Sequence, residues 1–307
     1  MYRVLFLFTL MIIIIFIWYN FSSKVVGFIY NPLTSAENYL AEGKTELYLI
    51  PANVVGDLEN IFRNFSARGA KFVIGPSTSA DGKSVLPYLE KYNMISLSPT
   101  ISSPRLLKTG YVYSLTPSNE AVVSAFAKYL SKIGCERLLV VLDDGNREYA
   151  DDFKRLLDIF SGDFVYYKSQ DSLNDVNLQE YDTAVITTFD KQSADVVKYL
   201  KLKNSNIKCV VSEAAFNKNF LSIGGQFVEG TYLIAPFTNI GNTEIELLDM
   251  WAKILNSHRF ISVQQFKRFV SSTVIQLKDN YFYFGPEGIN QKIGLYIVEK
   301  GQFKEVQ

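Results

Sequence analysis

Two short polar turns hold the densest chemistry in this chain. Ser77, Thr78 and Ser79 follow the apolar run 72–74, and Ser98, Thr100, Ser102 and Ser103 follow the apolar run 94–97. Both sets stand at the carboxyl ends of strand-like segments, where open parallel sheets hold their ligands. A helix begins close to Ser79, and the first N–H groups of any helix lack partners within it. Such an end, flanked by hydroxyls, suits a small anion such as a carboxylate. The same residue types also serve as ordinary caps and turns, with Ser79 as the helix N-cap. Two such turns after successive strands point to a binding crevice.

Other chemistries find less support. The 307 residues are 48% hydrophobic, which describes a globular chain long enough for two domains. Lys and Arg number 31 and so do Asp and Glu, so the broad basic footprint of a nucleic-acid binder is missing. His258 is the single histidine and lies in a polar linker, NSHRF, where it reads as a surface residue rather than a catalytic base. With Cys135 and Cys209 as the only cysteines, a zinc site built from His and Cys lacks ligands, and no metal or other cofactor is expected. The pair is compatible with a disulfide in an exported protein and with two buried thiols. There is no phosphate loop, nucleophile elbow or G-x-G-x-x-G after a first strand, so an enzyme is not expected.

The amino terminus reads as a membrane segment. Residues 4–19 are apolar apart from Thr9, Arg3 precedes them, and Asn20 and Phe21 extend the run toward the roughly 17–25 residues that span a bilayer. Trp18 and Tyr19 suit the interface. The following NFSSK offers no small-x-small cleavage site, so an uncleaved signal anchor over residues 4–21 is favoured over a cleaved signal peptide. The body of the chain is then extracytoplasmic, in the periplasm or at the cell surface.

The remainder alternates strand and helix. Strands are predicted at 25–29, 46–51, 72–75, 94–97, 111–115, 137–144, 164–168, 184–187, 209–212 and 231–235. Helices are predicted at 57–67, around 85–89, from Asn119, at 149–160, 193–202, near Phe220, and at 244–255 and 263–277. This alternation implies parallel sheets covered on both faces by helices, and there are too many strands for one small sheet. The predicted architecture is α/β, with two doubly wound parallel-sheet lobes joined by a hinge, after the N-terminal membrane segment. Residues 24–117 with 237–290 form a shortened first lobe, and 118–236 with 291–307 form the second.

Several segments together resemble the type 1 periplasmic binding proteins, and among them the branched-chain amino-acid (leucine) binding proteins of ABC transporters. They are VIGP followed by STS (73–79), SLSPTISSPRL (96–106), YVYSLTPSN (111–119), RLLVVLDDGNREYADDF (137–153), VVSEAAFN (210–217), EGTYLIAPF (229–237) and the terminal YFYFGPEG and GLYIVEKGQFKEV. The resemblance implies capture of a small ligand between the lobes. Ser79 would hold the ligand carboxylate, with a main-chain contact at Thr100 and a hydroxyl at Ser102. Glu213 would pair with the ligand ammonium, Tyr149 would close over it, and Phe189 would touch it. The chain departs from the pattern between Ser35 and Thr45, where much of the long helix after the first strand is missing, and at Ala150, where the family has glycine. An amino-acid-binding protein serving an ABC permease is therefore expected. A sensing or interaction module of the same fold is the alternative.

Overall fold

The computed structural model describes residues 6, 8–13, 24–32, 34, 36–42, 45–236, 243–258, 260, 262–277, 280–285, 288–289 and 291–306. Most of the expected anchor, 4–21, lies outside them. Its described members, Phe6 and 8–13, are helical and exposed. Among the described residues no helix is long and apolar enough to cross a membrane.

The first half builds one sheet. Strand β1 (Val25–Tyr30) leads through a seven-residue helix, α1 (Ala36–Glu42), to β2 (Tyr48–Asn53). Helix α2 (Leu58–Ala67) follows, capped by Asp57, whose side chain accepts from the N–H of Asn60. Then come β3 (Phe72–Ile74), α3 (Ser79–Lys91), β4 (Ile95–Ser98), the short α4 (Pro104–Leu107) and β5 (Val112–Ser114). The five strands are parallel, in the order β2-β1-β3-β4-β5. Successive side chains of a strand face opposite ways. Phe28, Phe72 and Leu97 therefore join one core and Ile29 and Val73 the other. Phe62, Phe65, Val85 and Leu89 of α2 and α3 fill the second core.

Helix α5 (Asn119–Lys132), capped by Ser118, carries the chain to a second sheet and buries Val122 and Phe126 there. Strand β6 (Arg137–Asp143) is followed by a single α-turn, α6 (Arg147–Ala150), which continues as a 3-10 helix from Asp151 to Asp158 where one α-helix was expected. Next are β7 (Ser161–Tyr167), β8 (Thr183–Ile186), α7 (Asp190–Lys203), β9 (Lys208–Val211), α8 (Lys218–Gly224) and β10 (Tyr232–Ala235). Strands β7-β6-β8-β9-β10 run parallel, with a register that sets Val140 against Val185.

The last segments divide between the sheets. Helices α9 (Thr243–His258) and α10 (Val263–Ser272) cover the open face of the first sheet, burying Trp251 and Phe266. Each such side chain contributes about 1.5–3 kcal/mol relative to exposure. The Trp251 indole Nε1 donates to the Ser98 carbonyl at 2.7 Å, tying α9 to the end of β4. His258 is the last residue of α9, not a linker residue, and stacks on Phe260 with ring centroids 5.6 Å apart. The helix expected over 263–277 stops at Ser272, because β-branched Thr273, Val274 and Ile275 favour a strand. That strand, β11 (Val274–Leu277), joins β12 (Asn280–Gly285) and β13 (Gly288–Ile289) in a small antiparallel sheet. A final hairpin, β14 (Gly294–Glu299) and β15 (Gln302–Glu305), extends the second sheet antiparallel to β10. Both cysteines are free thiols.

Candidate functional site

In both sheets the strand order reverses once, between β1 and β3 and between β6 and β8. At such a reversal the following connections leave on opposite faces and open a crevice beyond the strand ends. Gly75 brings the end of β3 to that edge. Its φ is +86°, and a Cβ there would stand 2.1 Å from the Ile29 carbonyl oxygen, so only glycine permits this approach.

The first-lobe rim is bound up in its own hydrogen bonds. Thr78, not Ser79, is the N-cap of α3, its hydroxyl accepting from the Asp81 N–H at 3.1 Å. Ser79 is the first helical residue, 2% exposed, and its Oγ accepts from the Ser103 N–H at 3.3 Å. The Ser98 hydroxyl donates to the Pro76 carbonyl and accepts from the N–H groups of Thr100 and Ile101. Thr100 Oγ1 donates to the Ser77 carbonyl at 2.7 Å. Ser77 Oγ bonds the carboxylate of Glu244 on α9. Ser102 is buried.

The second-lobe rim is different. Tyr149 lies on α6 beyond β6, and Ser212 and Glu213 follow β9 directly. The Tyr149 hydroxyl, Ser212 Oγ and Glu213 Oε2 are out of contact with solvent, yet none makes a hydrogen bond of good geometry. Tyr149 nevertheless lies close enough to the other two for each to affect its ionisation. Burial raises the Glu213 carboxyl above its ordinary value, only partly offset by its own backbone N–H and by Tyr149. Burial, and then the negative charge of Glu213, raises the Tyr149 phenol well above its usual value. Asp143, at the end of β6, is likewise raised by burial while accepting from the Gly145 N–H at 2.8 Å. Among the described residues no Lys or Arg forms an ion pair with Glu213 or Asp143.

The two rims meet directly. Asn146 Oδ1 accepts from the Ala80 N–H at 3.0 Å, at the start of α3. Glu148 is clamped by Ser103 Oγ at 3.0 Å, Arg105 Nε at 2.6 Å and Lys83 Nζ at 3.2 Å. Burial alone would raise the Glu148 carboxyl, but Arg105, Lys83 and Ser103 outweigh it and hold it below the ordinary range. Asn119 donates its backbone N–H to the Ser102 carbonyl at 2.8 Å and its Nδ2 to the Tyr149 carbonyl and to Asp152.

The structure thus gathers Ser79, Thr100 and Ser102 on one rim and Tyr149 and Glu213 on the other. Phe189 stands just before α7 with its side chain 45% exposed. Asn146, Glu148 and Ser212 were not singled out in the sequence. The first two sit in the aperiodic polar stretch DDGNRE, which carries no helical or strand pattern. Ser212 could have been found, since it directly precedes the acid that ends a buried strand.

No protein-family model matches the sequence, and no curated protein matches it. Solved structures do resemble it. A leucine-binding protein from Thermotoga maritima superposes with a TM-score of 0.74 at 13% identity, covering 92% of this chain and 97% of that one. This chain has the type 1 periplasmic binding protein fold. A branched-chain amino-acid transporter substrate-binding protein from Streptococcus pneumoniae, in complex with isoleucine, shares that fold with a TM-score of 0.74 and 13% identity, covering 92% and 99%. So does an ABC-transporter solute-binding protein from R. palustris in complex with 4-hydroxybenzoate, with a TM-score of 0.72 and 13% identity, covering 92% and 96%. Both rims described above follow the ends of parallel strands and touch through Asn146 and Ala80 and through Glu148 and Ser103.

Proposed function

We propose that the chain is an extracytoplasmic solute-binding protein. It captures an amino acid or similar small polar solute between two lobes by hinge closure, for an ABC-type uptake system. The lobes comprise 24–117 with 237–290 and 118–236 with 291–307, and the apolar run 4–21 tethers them to a membrane. The reading rests above all on the buried, unpartnered oxygens of Glu213, Tyr149 and Ser212. A buried carboxylate without a counter-charge is costly, and a ligand ammonium removes that cost. Ser79, Thr100 and Ser102 provide the facing rim, with Phe189 at the edge. Binding rather than bond-breaking chemistry is the role of this site, and the fold neighbours in complex with a ligand support that. They carry leucine, isoleucine or a benzoate. The direct contacts between the rims favour a second reading, a sensing or interaction module that closes without ligand.

The test is a thermal-shift screen of the full-length chain in mild detergent against amino acids, small amines and aromatic acids. A ligand at 100 times its dissociation constant adds about 2.7 kcal/mol to stability, an easily seen shift. A hit lost in Glu213→Ala supports solute capture at this site. A folded protein with no hit across the panel moves the function to the second reading.

A further inference from the structure

The two ends of the cleft differ in what remains for a ligand to satisfy. At the start of α3 the N–H groups of Ala80 and Asp81 are already met. Thr78 Oγ1 takes the N–H of Asp81, and Asn146 Oδ1, reaching over from the second lobe, takes that of Ala80. Asn146 is 9% exposed, so its amide is committed to this contact away from water. Its oxygen stands where a carboxylate would use the helix end. The neighbouring hydroxyls are committed too, Ser79 Oγ to the Ser103 N–H and Thr100 Oγ1 to the Ser77 carbonyl.

At the other end, three oxygens lie buried without partners, Glu213 Oε2, Tyr149 Oη and Ser212 Oγ. All three can accept, and one belongs to a carboxylate. Asp143, the buried last residue of the strand that leads to Tyr149, adds a second acid to the same end. An alkylammonium has three N–H donors and no acceptor, and carries the opposite charge. Its needs match this set, whereas a zwitterion also requires a cradle for its carboxylate. To enter that cradle the carboxylate must displace Asn146 and leave a buried amide without its partner, which costs free energy.

Building on the solute-capture reading, we propose that the cleft selects small primary amines that lack a carboxylate, and that Asn146 is the residue that sets this preference. The side chain of Asn146 serves as a built-in substitute for the ligand's acidic end. Amines therefore complete the cleft, and the corresponding amino acids must first open it.

The experiment is calorimetric titration of the full-length chain with matched pairs: isoamylamine and leucine, isobutylamine and valine, methylamine and glycine. The wild type is expected to bind the amine of at least one pair tenfold or more tightly than the amino acid. Asn146→Gly should close or reverse that ratio by admitting the carboxylate, with amine affinity within about threefold of wild type. Asn146→Asp keeps an acceptor at the helix end and should retain the preference for amines, so the proposal remains open to test even if the glycine variant folds poorly. A wild type that prefers the amino acid of each pair, or a preference unchanged in Asn146→Gly, overturns the role of Asn146 while leaving solute capture at Glu213 intact. Failure of both ligand classes to bind either variant or the wild type overturns the capture of amines and amino acids altogether.

Discussion

The two rims of the cleft are built from similar polar residues and end in opposite states. On the first lobe Ser79, Ser98 and Thr100 are engaged with backbone groups, and Ser77 with the Glu244 carboxylate of α9. Tyr149, Ser212 and Glu213 on the second keep buried oxygens without partners. The difference is one of geometry. The two hydroxyl turns of the first rim follow neighbouring parallel strands, so the Ser98 hydroxyl meets the Pro76 carbonyl, Thr100 meets the Ser77 carbonyl and the Ser103 N–H meets Ser79 Oγ from one turn to the other. Glu213, directly after a buried strand, draws only partial compensation from its own backbone N–H and from Tyr149. Ser77, Ser79, Ser98 and Thr100 are thus already engaged, whereas the second rim stores a binding demand.

Glu213→Gln should break this contrast most strongly. Replacing the buried charge with an amide is expected to stabilise the ligand-free protein by about 1–3 kcal/mol at pH 7.5, the order of a desolvated group left unpaired. The pH dependence gives the sign. The Glu213 carboxyl is raised in the folded protein, so the folded state holds the proton more tightly than the unfolded chain. Its penalty therefore applies at neutral pH and fades as pH falls through the raised value toward the ordinary 4.5. Urea unfolding at pH 7.5 and pH 5 checks this, because the gain in the variant should shrink at the lower pH. A variant no more stable than wild type at pH 7.5 would show that Glu213 is satisfied after all.

Glu148→Gln sharpens the comparison by releasing the contact between the rims. The Glu148 side chain is 9% exposed, but those of Arg105 and Lys83 are 56% and 70% exposed, so the clamp is expected to contribute about 1–2 kcal/mol. Because its folded carboxyl is held low, this contribution is present above the ordinary value of 4.5 and lost as pH falls through the depressed one. Small-angle scattering should show the wild type expanding only on acidification and the variant already expanded at neutral pH. Equal radii of gyration at every pH would count against the clamp.

Ser79→Ala should do least. Its Oγ accepts a single 3.3 Å bond, so its loss is expected to cost under about 1 kcal/mol in the urea midpoint and little in amine affinity. A tenfold or greater loss of affinity would instead place ligand on the first rim, as the family resemblance implied.

Much of the fold was legible because its signals are local. RLLVVLDD reads as a buried strand, and β6 occupies Arg137–Asp143. Phe62 and Phe65 share a helical face and pack together in α2. Where local signals compete, the reading failed. Phe266 and Val270 set a helical period that Val274 continues, yet pairing with β12 turns that residue into strand. Thr78 and Ser79 are both good caps by type, and it is Thr78 that has the extended backbone and accepts from the Asp81 N–H.

The site was less legible than the fold. Hydroxyl-rich turns after β3 and β4, and an acid directly after β9, are properties of the sequence, since strand ends and polar turns follow from short-range pattern. That Asn146 would meet Ala80, and Ser103 would meet Glu148, depends on residues 66 and 45 positions apart. Such pairings have no signature in the chain itself. Side-chain chemistry and alternation were determined by the sequence, while the tertiary structure decided which polar groups were satisfied across the cleft and which were left buried, because a hydrogen bond between lobes exists only once both sheets have folded and met.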